Sequence, residues 1–166
     1  MKKRWICLYV ENEIGVLARI SGLFSGKSYN LNSLTVGVTE DHTVSRMTIS
    51  LTSDDKTFEQ VKKQLNRSVE VIKVVDYTDT AIHMKELMFI RINNCFAKDL
   101  EEIRRLSDIF QAKVIDCDRT TALLESVQTE NKNNDIIALF EKYYPNRIEI
   151  TRGGSVAVEA VSISDR

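Results

Sequence analysis

The spacing of apolar residues in this chain switches repeatedly between a helical and a strand period, and the order of the switches leaves few folds open. Trp5 to Val10 is apolar on both faces and rich in strand formers, which predicts a buried strand. Val16, Leu17, Ile20, Leu23 and Phe24 then recur at helical spacing, so one apolar stripe runs along a helix from about Ile14 to Lys27. From Leu34 the period becomes two: Leu34, Val36 and Val38 alternate with Thr35, Gly37 and Thr39, a half-buried strand ended by a turn at "TEDHT". In the next strand Met47, Ile49 and Leu51 point one way and Arg46, Thr48, Ser50 and Thr52 the other. "SDDKT" supplies capping chemistry for a helix striped by Phe58, Val61 and Leu65, and "VEVIKVVD" closes the unit as a strand. The order is β-α-β-β-α-β.

After a mostly polar stretch, "YTDTAIHMK", the same order returns less cleanly. Glu86 to Ile92 reads as a strand; Leu100, Ile103, Leu106 and Phe110 mark a helix; "KVIDC" and "TALLESV" are two short strands. A helix over Ile136, Ile137 and Phe140 stops near Pro145, the only proline, and "RIEI" is a strand. With 166 residues, 43% of them hydrophobic, there is room for two such units of roughly 80 residues. The expected class is therefore α+β, with two tandem ferredoxin-like βαββαβ domains: residues 1–76, a linker at 77–85, and residues 86–166. Each would stack two helices on one face of a four-stranded antiparallel sheet and leave the other face bare, a shape that calls for self-association. The tail "SVAVEAVSIS" alternates and predicts either an added edge strand or a mobile end.

Charge excludes some functions. The 23 basic residues nearly balance 24 acidic ones, so no electrostatic footprint marks a nucleic-acid or anionic-membrane partner. RNA-recognition domains share this topology but stack bases on aromatics of the central strands, and "VSRMTISL" offers none. Cys7, Cys95 and Cys117 are odd in number and far apart, which argues for reduced thiols in a cytoplasmic protein rather than disulfides or zinc. "MKKRWICLYVEN" carries too short an apolar run for a signal sequence or membrane span. Among catalytic groups, His42 falls in a turn and His83 in the linker, neither with a partner at metal-ligand or triad spacing, and "SGLFSG" lacks the phosphate-loop Lys and Ser/Thr. No catalytic residue, metal site or cofactor is expected.

One segment does suggest binding. Asn12 stands in the strand-to-helix loop, and Gly15 opens the helix, where free N–H groups suit a carboxylate and glycine permits close approach. Val16 and Leu17 can supply an apolar wall. Asn30, with Leu31 beside it, has both a donor and an acceptor for the polar end of an amino acid. The same residues also admit plainer readings: Asn12 as a cap, Gly15 as steric relief, Asn30 as a turn residue.

Asn12 with Gly15-Val16-Leu17, Arg19, Gly22-Leu23-Phe24, Tyr29-Asn30, Ser33-Leu34-Thr35-Val36 and Ser45-Arg46-Met47-Thr48-Ile49 together resemble the amino-terminal ACT domain of the regulatory small subunits of acetohydroxyacid synthase, also called acetolactate synthase. "FQAKVIDCD" and "IEITRGGSVA" are similar to stretches of the same family's second half, with Ala112 where the family usually has Gly, His42 where it often has Pro, and a tail over Glu159 to Ile163 unlike its usual basic end. The resemblance implies a non-catalytic subunit that activates a thiamine-diphosphate-dependent catalytic large subunit and transmits feedback inhibition by valine or another branched-chain amino acid. It further implies a homodimer through the ACT domain, with the effector held between Asn12, Gly15, Val16 and Leu17 of one chain and Asn30 and Leu31 of the other. "INNCFAKDL" in the second domain has no glycine before its helix, so no effector site is expected there. Two other readings stay open at this point: an ACT-type amino-acid sensor serving a different enzyme or transcriptional circuit, and a small enzyme on a ferredoxin-like fold.

Overall fold

The computed structural model describes residues 1–25 and 29–162. The end of the predicted first helix, Gly26 and Lys27, lies outside the described residues, as does the tail from Ile163.

In the first unit, β1 (Lys2–Glu11), α1 (Val16–Ser25), β2 (Leu31–Val38), β3 (Val44–Ser53), α2 (Asp55–Leu65) and β4 (Val71–Asp76) follow the predicted order. The sheet order is β2-β3-β1-β4, so β2 and β4 are edges and β1 and β3 lie in the middle. The inner pairing of β1 with β3 is antiparallel, Ile6 opposite Ile49 and Leu8 opposite Met47. Period two therefore directs Ile6, Leu8, Val10, Met47, Ile49 and Leu51 to one face, where Val16, Ile20 and Phe24 of α1 and Phe58, Val61 and Leu65 of α2 complete a single core. Asp54 caps α2, its carboxylate accepting the Thr57 N–H at 2.7 Å.

The opposite face is not bare, contrary to the sequence expectation. Cys7 and Ser50 are fully buried and Thr48 nearly so, and around Arg46 the chain end returns over this side. β9 (Val156–Glu159) belongs with the first unit, Ala160 N–H donates to Ala81 O at 2.9 Å, and Arg46 Nη2 donates to Ala157 O at 2.6 Å. The alternating tail has thus become a strand, one of the two outcomes the sequence allowed. Val36 and Val38 on the β2 edge are 45% and 57% exposed, less buried than the half-buried strand predicted there.

The second unit, Met84–Ser155, repeats the topology. β5 (Ile82–Ile92), α3 (Ala97–Phe110), β6 (Lys113–Cys117), β7 (Ala122–Gln128), α4 (Glu130–Tyr143) and β8 (Ile148–Arg152) form a sheet of order β6-β7-β5-β8. β5 starts four residues earlier than the sequence pattern suggested, so Ile82 to Lys85, His83 included, are strand. Met88, Ile90, Ile92 and Leu124 pack against Ile103, Leu106, Ile136 and Phe140 in a separate core. The left-handed residue that ends α3 is Gln111, with φ 57°, and not Ala112, so an alanine at the position where the family usually has glycine meets no backbone strain. No described helix is long and apolar enough to cross a membrane.

Candidate functional site

The β1–α1 loop is built by two local requirements. Gly15 takes φ +86°, a conformation that disfavours any side chain, and a Cβ there would stand 3.1 Å from Arg19 Nη1. Arg19 is in turn held by Glu70, Nε to Oε1 2.5 Å. Asn12 ties this loop to the turn between β2 and β3: its backbone N–H donates to Thr43 O at 2.7 Å, its Nδ2 donates to His42 O at 2.9 Å, and its Oδ1 accepts Ser45 Oγ–H at 2.9 Å. The turn itself is fixed by Asp41, whose carboxylate accepts both the hydroxyl and the N–H of Thr43 and is held below the usual aspartate range by them.

In place of the cap that its position suggested, Asn12 is a tie between two loops. Its amide still keeps one N–H and part of its carbonyl oxygen free, and the side chain is solvent-exposed. The start of α1 has no acidic residue in its first turn, so its N-terminal partial charge is not neutralised by its own helix. The two residues expected to form an apolar wall divide: Leu17 is 46% exposed and faces outward, whereas the Val16 side chain is buried in the core. Ile14, which the sequence pattern did not single out for the site, is fully exposed beside them. Its neighbour Gly15 leaves the helix stripe, and that break in phase is the signal that could have found it.

Asn30 and Leu31 are elsewhere. Leu31 pairs with Leu51, which pairs with Arg4, so the start of β2 is level with the start of β1, while Asn12 follows the residue at the far end of β1. Arg4 and Glu11 are seven strand steps apart, about 23 Å at ~3.3 Å per step. Within one chain the predicted site residues form two groups at opposite ends of the sheet.

The corresponding loop of the second unit is occupied by its own residues. Asp99 accepts the Phe96 N–H at 2.9 Å and pairs with Arg147 at 2.7 Å, which filled helix start contrasts with that of α1. Arg147 Nε also donates to Asn93 O at 3.0 Å. Among the described residues no group of three or more His, Cys, Asp or Glu is placed to hold a metal.

Two family models match the chain: the AHAS small subunit-like ACT domain over residues 6–73, and the small subunit of acetolactate synthase over residues 85–161. The acetolactate synthase small subunit of Aquifex aeolicus is 39% identical over 158 residues, covering 95% of this chain and 81% of that protein. The probable acetolactate synthase small subunit of Archaeoglobus fulgidus is 42% identical over 156 residues, covering 94% and 96%. The crystal structure of the acetolactate synthase small subunit from Thermotoga maritima superposes with a TM-score of 0.85 at 32% identity, covering 96% of this chain and 98% of that one. Matched in both halves by its models and along nearly its whole length by its members, the chain belongs to the acetolactate synthase small-subunit family, with an ACT domain as its first unit.

Proposed function

We propose that this chain is the non-catalytic regulatory subunit of an acetolactate synthase, activating a thiamine-diphosphate-dependent catalytic subunit and relaying feedback inhibition by a branched-chain amino acid. The observation that carries the effector part is the separation of the two groups of residues. β2 is an edge strand that runs in the same direction as β1, from Leu31 to Val38. If two copies pair antiparallel along β2, the start of one β2 lies beside the end of the other. Asn30 and Leu31 of one copy then reach the end of the sheet where Asn12, Gly15 and Leu17 of its partner stand. Exposed Val36 and Val38, on an edge strand without a charged or proline guard between them, support such a pairing. The assembled pocket would meet the effector carboxylate with the open start of α1, its polar groups with the Asn12 and Asn30 amides, and its aliphatic side chain with Leu17 and Ile14. Val16 supports this surface from beneath. An effector that binds one arrangement of the assembly better shifts the population toward it by its differential affinity. The second unit, with its helix start already filled by Asp99, serves as scaffold and as a contact for the catalytic subunit.

The test mixes the purified chain with the catalytic subunit from the same source and measures acetolactate formation with and without valine, leucine and isoleucine. Stimulation that one of the three reverses, lost in Asn30→Ala, is the expected result. An unchanged rate on adding the chain would overturn the reading.

A further inference from the structure

The most unusual cation of the first unit is Arg46, on the sheet face away from both helices. Three of its five guanidinium N–H donors are taken: Nε by Cys7 Sγ at 2.9 Å, and Nη2 by Tyr77 OH at 3.0 Å and Ala157 O at 2.6 Å. The Tyr9 ring lies 5.7 Å from the guanidinium carbon. The side chain is thereby fixed on one edge, and its two Nη1 donors have no partner among the described residues. It forms no ion pair with any described carboxylate, whereas Arg4, Arg19 and Arg147 each do. A cation held partly out of water without a counter-charge is costly, and a ligand anion would relieve that cost.

Arg46 lines a pocket of about 410 Å³, in the size range of small-molecule sites. Thr35 and Thr48 share this face of the sheet with Arg46, and the Tyr9 ring and Val156 supply apolar surface, the Val36 and Val38 side chains pointing to the other face. Glu40 on the rim opposes a second negative charge on any ligand. The chemistry is that of one carboxylate on a short aliphatic body. We propose that this pocket is a second ligand site, for a short aliphatic monocarboxylate whose oxygen accepts from Arg46 Nη1. It lies on the opposite face of the sheet from the loop of Asn12 and Gly15, but β2, which lines it, is also the edge along which the effector reading pairs two copies, so the oligomeric state of each variant is measured beside its binding. Because Val156 forms part of the wall and Ala157 O holds Arg46, occupancy also bears on how firmly β9 lies against the sheet.

Gly37 gives a clean perturbation. It pairs with Arg46 across β2 and β3, lines the pocket, has no positive φ, and a Cβ added there meets nothing within 4 Å. Gly37→Phe places a ring in the pocket directly opposite Arg46 in the register. The experiment is calorimetric titration of the full chain with isovalerate, which lacks the ammonium group of an amino acid, and with valine, using native protein, Gly37→Phe, Arg46→Met and Asn12→Ala. Expected is saturable millimolar binding of isovalerate that weakens at least tenfold in Gly37→Phe and in Arg46→Met, the loss of one charged hydrogen bond, and persists in Asn12→Ala. Valine sharing the site would show the same pattern, and would add a dependence on Glu40→Gln if its ammonium meets Glu40. Absence of saturable isovalerate binding, or binding that Gly37→Phe leaves unchanged, overturns the proposal. The effector reading is judged separately, on valine, leucine or isoleucine binding that Asn12→Ala or Asn30→Ala removes.

Discussion

Replacing Asn12 by Ala separates its structural role from any role in binding. The variant keeps the backbone bond to Thr43 O and loses two side-chain bonds. His42 O sits in an exposed turn, where water replaces Nδ2, so that loss is small. Ser45 is only 5% exposed, and its hydroxyl loses its acceptor with little access to water. At about 0.5 to 1.5 kcal/mol per bond, the expected destabilisation is about 1–2 kcal/mol. Trp5 is the only tryptophan and is buried in the first unit, so its fluorescence during urea unfolding reports that unit selectively. The midpoint should fall with little change in slope. In the Asn12→Ala background, Ser45→Ala should be nearly neutral, giving a coupling of about 1 kcal/mol. An unchanged midpoint in Asn12→Ala, or strictly additive single effects, would refute the assignment of Asn12 as the tie between the loop and the turn. A loss of this size against a total of roughly 5–15 kcal/mol leaves a folded variant whose ligand binding can be measured.

Gly15→Ala forces a Cβ into φ +86° beside Arg19 and should destabilise the first unit by about 1–2 kcal/mol in the same fluorescence assay. Val38→Lys places a charge on the exposed β2 edge and should shift the chain toward monomer in sedimentation, with near-native unfolding of Trp5. Asp99 is held below the usual aspartate range, first by its hydrogen bond from Arg147 and then by the Phe96 N–H. Its folded value is depressed, so its contribution is present above the unfolded value near 3.9 and fades as pH falls through the lower folded value. The stability advantage of the native chain over Asp99→Asn should therefore shrink as pH falls below about 4, measured by circular dichroism.

Reading periodicity reached far into this molecule. The alternation of Met47, Ile49 and Leu51 with Arg46, Thr48 and Ser50 determined which residues enter the first core, because a strand has only two faces and one must be apolar. Gly15 before a helical stripe marked the loop that does take a positive φ. Composition and spacing cannot register a face closed from a distance: β9 is separated from Arg46 by the entire second unit in sequence, and only folding brings Ala157 O to its guanidinium. Around Arg46 the sheet face expected to be bare is closed by that long-range contact, which also turned Arg46 from an outward strand residue into a fixed cation beside a pocket. The positions of Asn12 and Asn30 show the same division. Their residue types and flanking patterns are local and legible in the chain, but their placement at opposite ends of one sheet follows from strand direction and register, which local spacing does not encode.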